Sequence, residues 1–186
     1  MMDEVVLDAI RKNMSSIHAA SAHEKVYKDE CMFSFDTPFS EQGLYVNMKT
    51  FQGFGHNYWT RDYQKTLCGL YLHEVWRQVA IEKKADDQPT NLGIGTEGGF
   101  QPDKTYDVTK VHSLFVVYPS STTTEGYNTK EITLPNNDIP YFVSTVCDSI
   151  IAHDGMNLRL KTDEYQDAEE VIIESKYANN LIQLAN

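Results

Sequence analysis

The three cysteines of this chain, Cys31, Cys68 and Cys147, are odd in number and widely spaced. Such a set makes a poor disulfide framework and suits a reducing compartment. It also holds no C-x-x-C pair, the close grouping by which zinc usually organises a small fold. A chain of this kind must therefore fold by burying apolar surface. Its 186 residues, 41% hydrophobic and 11% aromatic, supply enough material for roughly one domain with an appendage.

Charge narrows the partners. With 16 Lys and Arg against 27 Asp and Glu, the net charge is −11. Nucleic acid and anionic membranes repel such a surface unless a basic patch intervenes, and none is visible. The opening Met1-Met2-Asp3-Glu4 is acidic where a signal peptide would be basic. The longest apolar stretch, Leu114 to Tyr118, is far too short to cross a bilayer. The expectation is a cytoplasmic or nucleocytoplasmic protein.

Hydrophobic spacing gives the organisation. Val6, Ile10, Met14 and Ile17 recur at helical intervals, with Asp3 and Glu4 ahead of Arg11 and Lys12 as the helix dipole favours. From Tyr27 to Trp76 the chain reads as short strands and tight turns: Phe33 and Phe35 alternating with polar residues, then Leu44 to Met48, then Leu70 to Trp76. Val111 to Tyr118 is valine-rich and reads as a central strand, and Glu131 to Leu134 as a short one. A second helix is expected from Asp138, which can cap it, with Pro140 in its first turn and Gly155 closing it. Its buried stripe would be Ile139, Phe142 or Val143, Val146 and Ile150. The fold class is therefore α+β, a mostly antiparallel sheet packed with helices. Residues 1–155 make the domain; residues 156–186, rich in acids such as Glu169 and Glu170, read as a linker or crossing segment.

Several patterns invite chemistry and offer little. Gly93-Ile94-Gly95-Thr96-Glu97-Gly98 fits a dinucleotide fingerprint but lacks the strand before it and the helix after it, so a glycine-rich turn is the better reading. Cys31, His56, Cys68 and His73 carry metal-ligand atoms without close pairing. On one strand, the odd separation of Cys68 and His73 would send them to opposite faces. Cys147 falls beside the apolar stripe of its helix, and Cys31 follows Asp29 and Glu30, which disfavour a thiolate. Asp86-Asp87 and Glu169-Glu170 read as solvated charges. Tyr58, Trp59 and Tyr63 group after a glycine turn, either as half-buried packing or as an interaction surface.

The run Val26-Tyr27-Lys28-Asp29-Glu30-Cys31-Met32-Phe33-Ser34-Phe35-Asp36-Thr37-Pro38 resembles the N-terminal region of the isopeptidase T family of ubiquitin-specific cysteine proteases. So do Gly43-Leu44-Tyr45, Met48-x-Thr50-Phe51-x-Gly53-Phe54-Gly55, Tyr71-Leu72-His73 and Gly93-x-Gly95-x-Glu97-Gly98-Gly99-Phe100. The similarity runs from about Val26 to near Leu184 and weakens in 83–89 and 119–130.

This resemblance implies a variant UBP-type zinc-finger-like fold, the first of two such domains ahead of a protease core. The family's zinc-ligand positions carry over to Cys31, Ser34, Asn47 and Tyr58. Only Cys31 can serve as a ligand in the usual way, so the resemblance implies no metal here and zinc only in the following UBP domain. The family's Asn-Ser-Cys-Tyr protease box does not occur, so this chain should be non-catalytic, with no cofactor. The active finger holds the ubiquitin tail with an arginine just after its third ligand; Met48 and Lys49 stand there instead. The implied partners are the protease core and second UBP domain of a parent chain, with ubiquitin itself as the alternative.

Overall fold

The computed structural model describes residues 3–80, 106–120, 123 and 126–156. The glycine-rich segment 93–100, the pair Asp86-Asp87 and the proposed connector beyond residue 156 lie outside the described residues.

The first helix, α1, spans Glu4–Asn13. Asp3 caps it, its carboxylate accepting from Val5 N at 3.2 Å, and Arg11 and Lys12 sit in the last turn. After α1 the chain runs without strands to β1, Leu44–Asn47, which turns into β2, Gly53–Phe54. The alternation at Phe33 and Phe35 does not make a strand. Those residues lie in consecutive bends, and Phe35 is 93% exposed. The turn closes on itself instead, Cys31 N donating to Asp36 O at 2.8 Å.

A short helix, α2, covers Trp59–Thr66 where strands and turns were expected. Its inward face is Trp59, Asp62, Tyr63 and Thr66, at helical spacing but aromatic and polar rather than aliphatic. Leu67 ends it in the left-handed conformation, φ 53°, its N–H bonding back to Tyr63 O.

Three long strands complete the sheet: β3, Leu70–Ala80; β4, Tyr106–Pro119; and β5, Tyr127–Thr133. The order is β2-β1-β3-β4-β5, antiparallel throughout. The β3–β4 pair runs on past the core as a two-stranded ribbon, with residues 77–80 and 106–111 exposed.

The last described helix, α3, spans Tyr141–Ala152. Asp138 does not cap it. Pro140 is the N-terminal boundary residue, extended at φ −54°, ψ 135°, and the residue before a proline is steered away from helix. Nor does Gly155 close it, because His153 is already extended. Gly155 has another use. With φ +74° it packs against the Asp29 carboxylate, where a Cβ would collide.

Side chains alternate across the sheet. One face carries Leu44, Val46, Leu70, Leu72, Leu114, Val116 and Ile132, buried against Val6, Ala9 and Ile10 of α1 and Val143, Val146, Cys147 and Ile150 of α3. Each fully buried aliphatic chain contributes about 1.5–3 kcal/mol. The opposite face carries Tyr45, Tyr71, Phe115 and Val117, closed by Phe54 and Trp59. The sheet is covered on both sides in its middle, which is why Leu44 to Asn47 is buried at every position.

Candidate functional site

The inferred metal-ligand positions fall in two places. Cys31, Ser34 and Tyr58 gather around Gly55. The Cys31 sulfur accepts from Gly55 N at 3.1 Å and from Phe33 N at 3.4 Å. Ser34 Oγ donates to Asp36 Oδ2 at 2.6 Å, and that carboxylate packs against Gly55. Tyr58 N donates to Gly55 O at 2.9 Å, and the Tyr58 ring lies 5.8 Å from that of Phe33.

Asn47 is turned elsewhere. Its Oδ1 accepts from Lys49 N at 2.8 Å and Thr50 N at 3.3 Å, which shapes the β1–β2 turn. Its Nδ2 donates to Asp62 on α2, and the same Asp62 oxygen accepts from Tyr71 Oη at 2.8 Å. One amide thus ties a hairpin, a helix and, through Asp62, strand β3 together. This donor set does not fit a zinc ion. It offers one thiol beside a hydroxyl, an amide and a phenol, and the amide is fully engaged. Among the described residues no cluster of three His, Cys, Asp or Glu side chains could hold a metal.

The aromatic group divides as well. Trp59 is packed inward at 6% exposure, its ring 5.0 Å from Phe115 and 5.7 Å from Tyr127. It therefore cannot present its ring at a surface. Tyr58 and Tyr63 are half-buried against the same cluster. The exposed aromatic surface lies next door, on the turn after Cys31. Phe33 is 53% exposed under the Arg61 guanidinium at 5.2 Å, with Met32 and Phe35 on the same turn, while exposed Phe39 lies on the next turn with its ring 5.3 Å from that of Trp76. The composition of that turn was readable; that it would fold back on itself rather than pair as a strand was not.

His73, Ser113 and Glu131 meet with the residue types of a hydrolase triad but without its roles. Ring stacking on Tyr45 at 4.2 Å fixes His73. Its Nδ1 faces Glu131 Oε1 at 2.6 Å and its Nε2 donates to Gln42 O at 2.8 Å. Ser113 Oγ donates to Glu131, so no imidazole nitrogen is free to take its proton. Burial pushes Glu131 up, but hydrogen bonds from Ser113 and His73 outweigh it and hold the carboxylate below its ordinary value. The group is a clamp joining β3, β4, β5 and the Gln42 turn.

The thiols are equally quiet. Burial raises Cys147 to about 12, with Asp148 adding to it, and raises Cys68 as well. His73 and Cys68 belong to opposite sides of the sheet, Cys68 in the aliphatic core and His73 stacked on Tyr45.

A second polar group, which spacing gave no reason to single out, lies beneath the C-terminal end of α3. Lys28 is buried and donates from Nζ to Ile150 O at 3.1 Å and Ile151 O at 2.8 Å, closing the helix with a cation where its dipole is negative. Glu74 is 1% exposed beside it. Burial raises Glu74 to about 7 in spite of the attraction of Lys28, and desolvation lowers Lys28.

Residues 17–79 match the variant UBP zinc finger family. Ubiquitin carboxyl-terminal hydrolase 5 of Homo sapiens is 42% identical over 109 residues, 53% of this chain and 12% of that protein. Ubiquitin carboxyl-terminal hydrolase 13 of Bos taurus is 33% identical over 184 residues, 94% of this chain and 20% of that protein. Ubiquitin carboxyl-terminal hydrolase 14 of Arabidopsis thaliana is 40% identical over 95 residues, 50% of this chain and 12% of that protein. The chain thus spans a fifth or less of the length of these relatives.

Proposed function

Because residues 17–79 match the variant UBP zinc finger family, we propose that this chain is a non-catalytic N-terminal regulatory and scaffolding domain of a deubiquitinating cysteine protease that disassembles free polyubiquitin. One observation carries the reading: 94% of the chain is similar to a ubiquitin carboxyl-terminal hydrolase of which it makes up only 20%. Such a piece acts within a larger protein, against the protease core or a following UBP domain. The chemistry of the described residues supports a passive module. Cys68 and Cys147 are buried and held as thiols, Cys31 sulfur is engaged by two backbone N–H groups, and the imidazole of His73 is occupied on both nitrogens. The fold is proposed to hold without zinc, through the Asn47–Asp62–Tyr71 contacts. Zinc would belong to the following domain, and residues 156–186 would connect to it.

Deleting residues 1–155 from the parent protease tests this. The expected result is altered cleavage of unanchored polyubiquitin or a lower Tm of the core. Unchanged kinetics together with an unchanged Tm would remove the proposal.

A second reading, an independent ubiquitin-binding module, is favoured by the exposed Met32, Phe33 and Phe35 on one turn of an acidic chain. An acidic partner gains on-rate from the basic face of ubiquitin. NMR titration with excess ubiquitin should shift the resonances of residues 31–39 and 58–63; a spectrum without shifts excludes it.

A further inference from the structure

Past the Glu74–His112 pair, β3 and β4 leave the body of the sheet as a ribbon, paired step by step as far as Ala80 and Tyr106. Its two edges differ. Along the β3 edge the turn after Pro38 lies against the strand. Trp76 N donates to Pro38 O at 2.8 Å, and Arg77 donates to Ser40 O at 3.1 Å and Glu41 O at 2.6 Å. The β4 edge is bare. Pairing with β5 begins only at Ser113, and residues 106–111 are all exposed.

Alternation fixes which groups that edge offers. Val117 N donates to Gly69 O on the β3 side, and His112 O accepts from Leu134 N on the β5 side. In an antiparallel strand both backbone groups of a residue point the same way, so the even-numbered residues of β4 face outward. The N–H and C=O groups of Tyr106, Val108 and Lys110 therefore project from the edge, and nothing pairs with them among the described residues. Such a row fits another extended strand. Two common edge defences, a proline and a bulge, do not occur in 106–111, and Lys110 lies folded over the Trp76 ring at 4.1 Å.

The strand that fits is the same strand of a second copy. A two-fold axis at Val108 sets Val108 on Val108 and Tyr106 on Lys110 in both directions. Outward groups then meet outward groups, and about six backbone hydrogen bonds can form. On the other face Asp107 meets Thr109, so no like charges are opposed. Neighbouring registers are worse. An axis at Asp107 sets that carboxylate against itself, and an axis at Lys110 opposes two ammonium groups. An axis at Thr109 sets Tyr106 against His112, whose carbonyl already serves Leu134.

We propose that this chain self-associates through the β4 edge of the ribbon, residues 106–110 pairing antiparallel about Val108 to join two five-stranded sheets into one. The contact is short and each copy carries a charge of −11, so the dimer is weak and tightens as salt screens the repulsion.

Sedimentation of the 186-residue chain would be followed at low and high salt, up to roughly 1 mM. A monomer–dimer equilibrium is expected, tighter at high salt. Val108→Pro removes the N–H on the axis, at an edge position where a proline ring is tolerated, and should weaken the dimer at least about tenfold. Val108→Cys gives a second readout that leaves the backbone intact. Hydrogen-bonded antiparallel partners stand about 5.5 Å apart at Cα, within disulfide range, so mild oxidation should link the two copies. Val79→Cys, exposed on β3, should not link, and the native cysteines are buried. A chain that stays monomeric at high salt overturns the proposal, as does a dimer that salt weakens, that persists in Val108→Pro, or that Val108→Cys does not link.

Discussion

The two faces of the sheet are closed by different means. Toward α1 and α3 the contacts are mostly aliphatic, Lys28 and Glu74 beneath the end of α3 apart, and volume-conserving repacking of the aliphatic part would be tolerated best. Toward α2 the closure combines aromatic rings with polar bonds at defined atoms: Asp62 holding Tyr71 and Asn47, and His73 holding Glu131 and Gln42. Aliphatic burial is non-directional and tolerates volume-conserving exchange. A buried polar network is directional and intolerant, because each member left alone keeps its desolvation cost. The side that holds Asn47 and Asp62 is thus the side where single side chains matter most.

Asp62→Ala should be the most damaging change, since it strands both Tyr71 Oη and Asn47 Nδ2 in a buried site. A loss of about 3–5 kcal/mol is expected in urea unfolding. Asp62→Asn should cost less, and equal losses would argue against the network. On the aliphatic face Leu72→Ala should cost about 2–5 kcal/mol through its cavity, whereas Leu72→Met should cost under about 1.5 kcal/mol. If Leu72→Met proved as damaging as Leu72→Ala, the contrast in tolerance would collapse.

Acidity separates the two faces further. Glu74, raised to about 7, stabilises the fold only while protonated. Its folded value lies above its unfolded one, so stability should fall as pH rises from about 4.5 to 7, by on the order of 2–3 kcal/mol. Glu74→Gln should flatten that slope in pH-resolved denaturation. Glu131, held low, has the opposite sign. Its contribution is present above its ordinary value, and lost as pH falls through its depressed folded one, so Glu131→Gln should soften acid unfolding. The smallest effect concerns metal. EDTA, or a stoichiometric addition of zinc, should leave Tm unchanged, because an ion that bound only the folded state would have to raise it.

The aliphatic face was legible in the sequence and the polar face was not. Val6, Ile10, Val143, Val146 and Ile150 announce their helices by spacing, and Leu70 to Trp76 and Val111 to Tyr118 announce the central strands, though the strands run longer. Helix α2 has no aliphatic period; its inward residues are Trp59, Asp62, Tyr63 and Thr66, whose roles come from partners on other elements. The carried-over ligand positions located the neighbourhood of Gly55, yet Asn47 acquires its meaning only when Asp62 is brought beside it. Glu74 and Lys28 are distant in sequence and look like ordinary surface charges until the fold buries both.

The bonds that Lys28 makes to the end of α3 span 122 and 123 residues of sequence, and Ala20 N reaches Ser149 Oγ across 129. Chain closures of that length slow folding, because the entropy of the loop is lost before the contact is made. The family match ends at residue 79, before β4, β5 and α3 have appeared. The matched segment therefore leaves out the strands and the helix that complete its core. A chain emerging from the ribosome would hold the finger segment, with the lysine at position 28 and half the core face uncovered, until the last helix arrived to receive them.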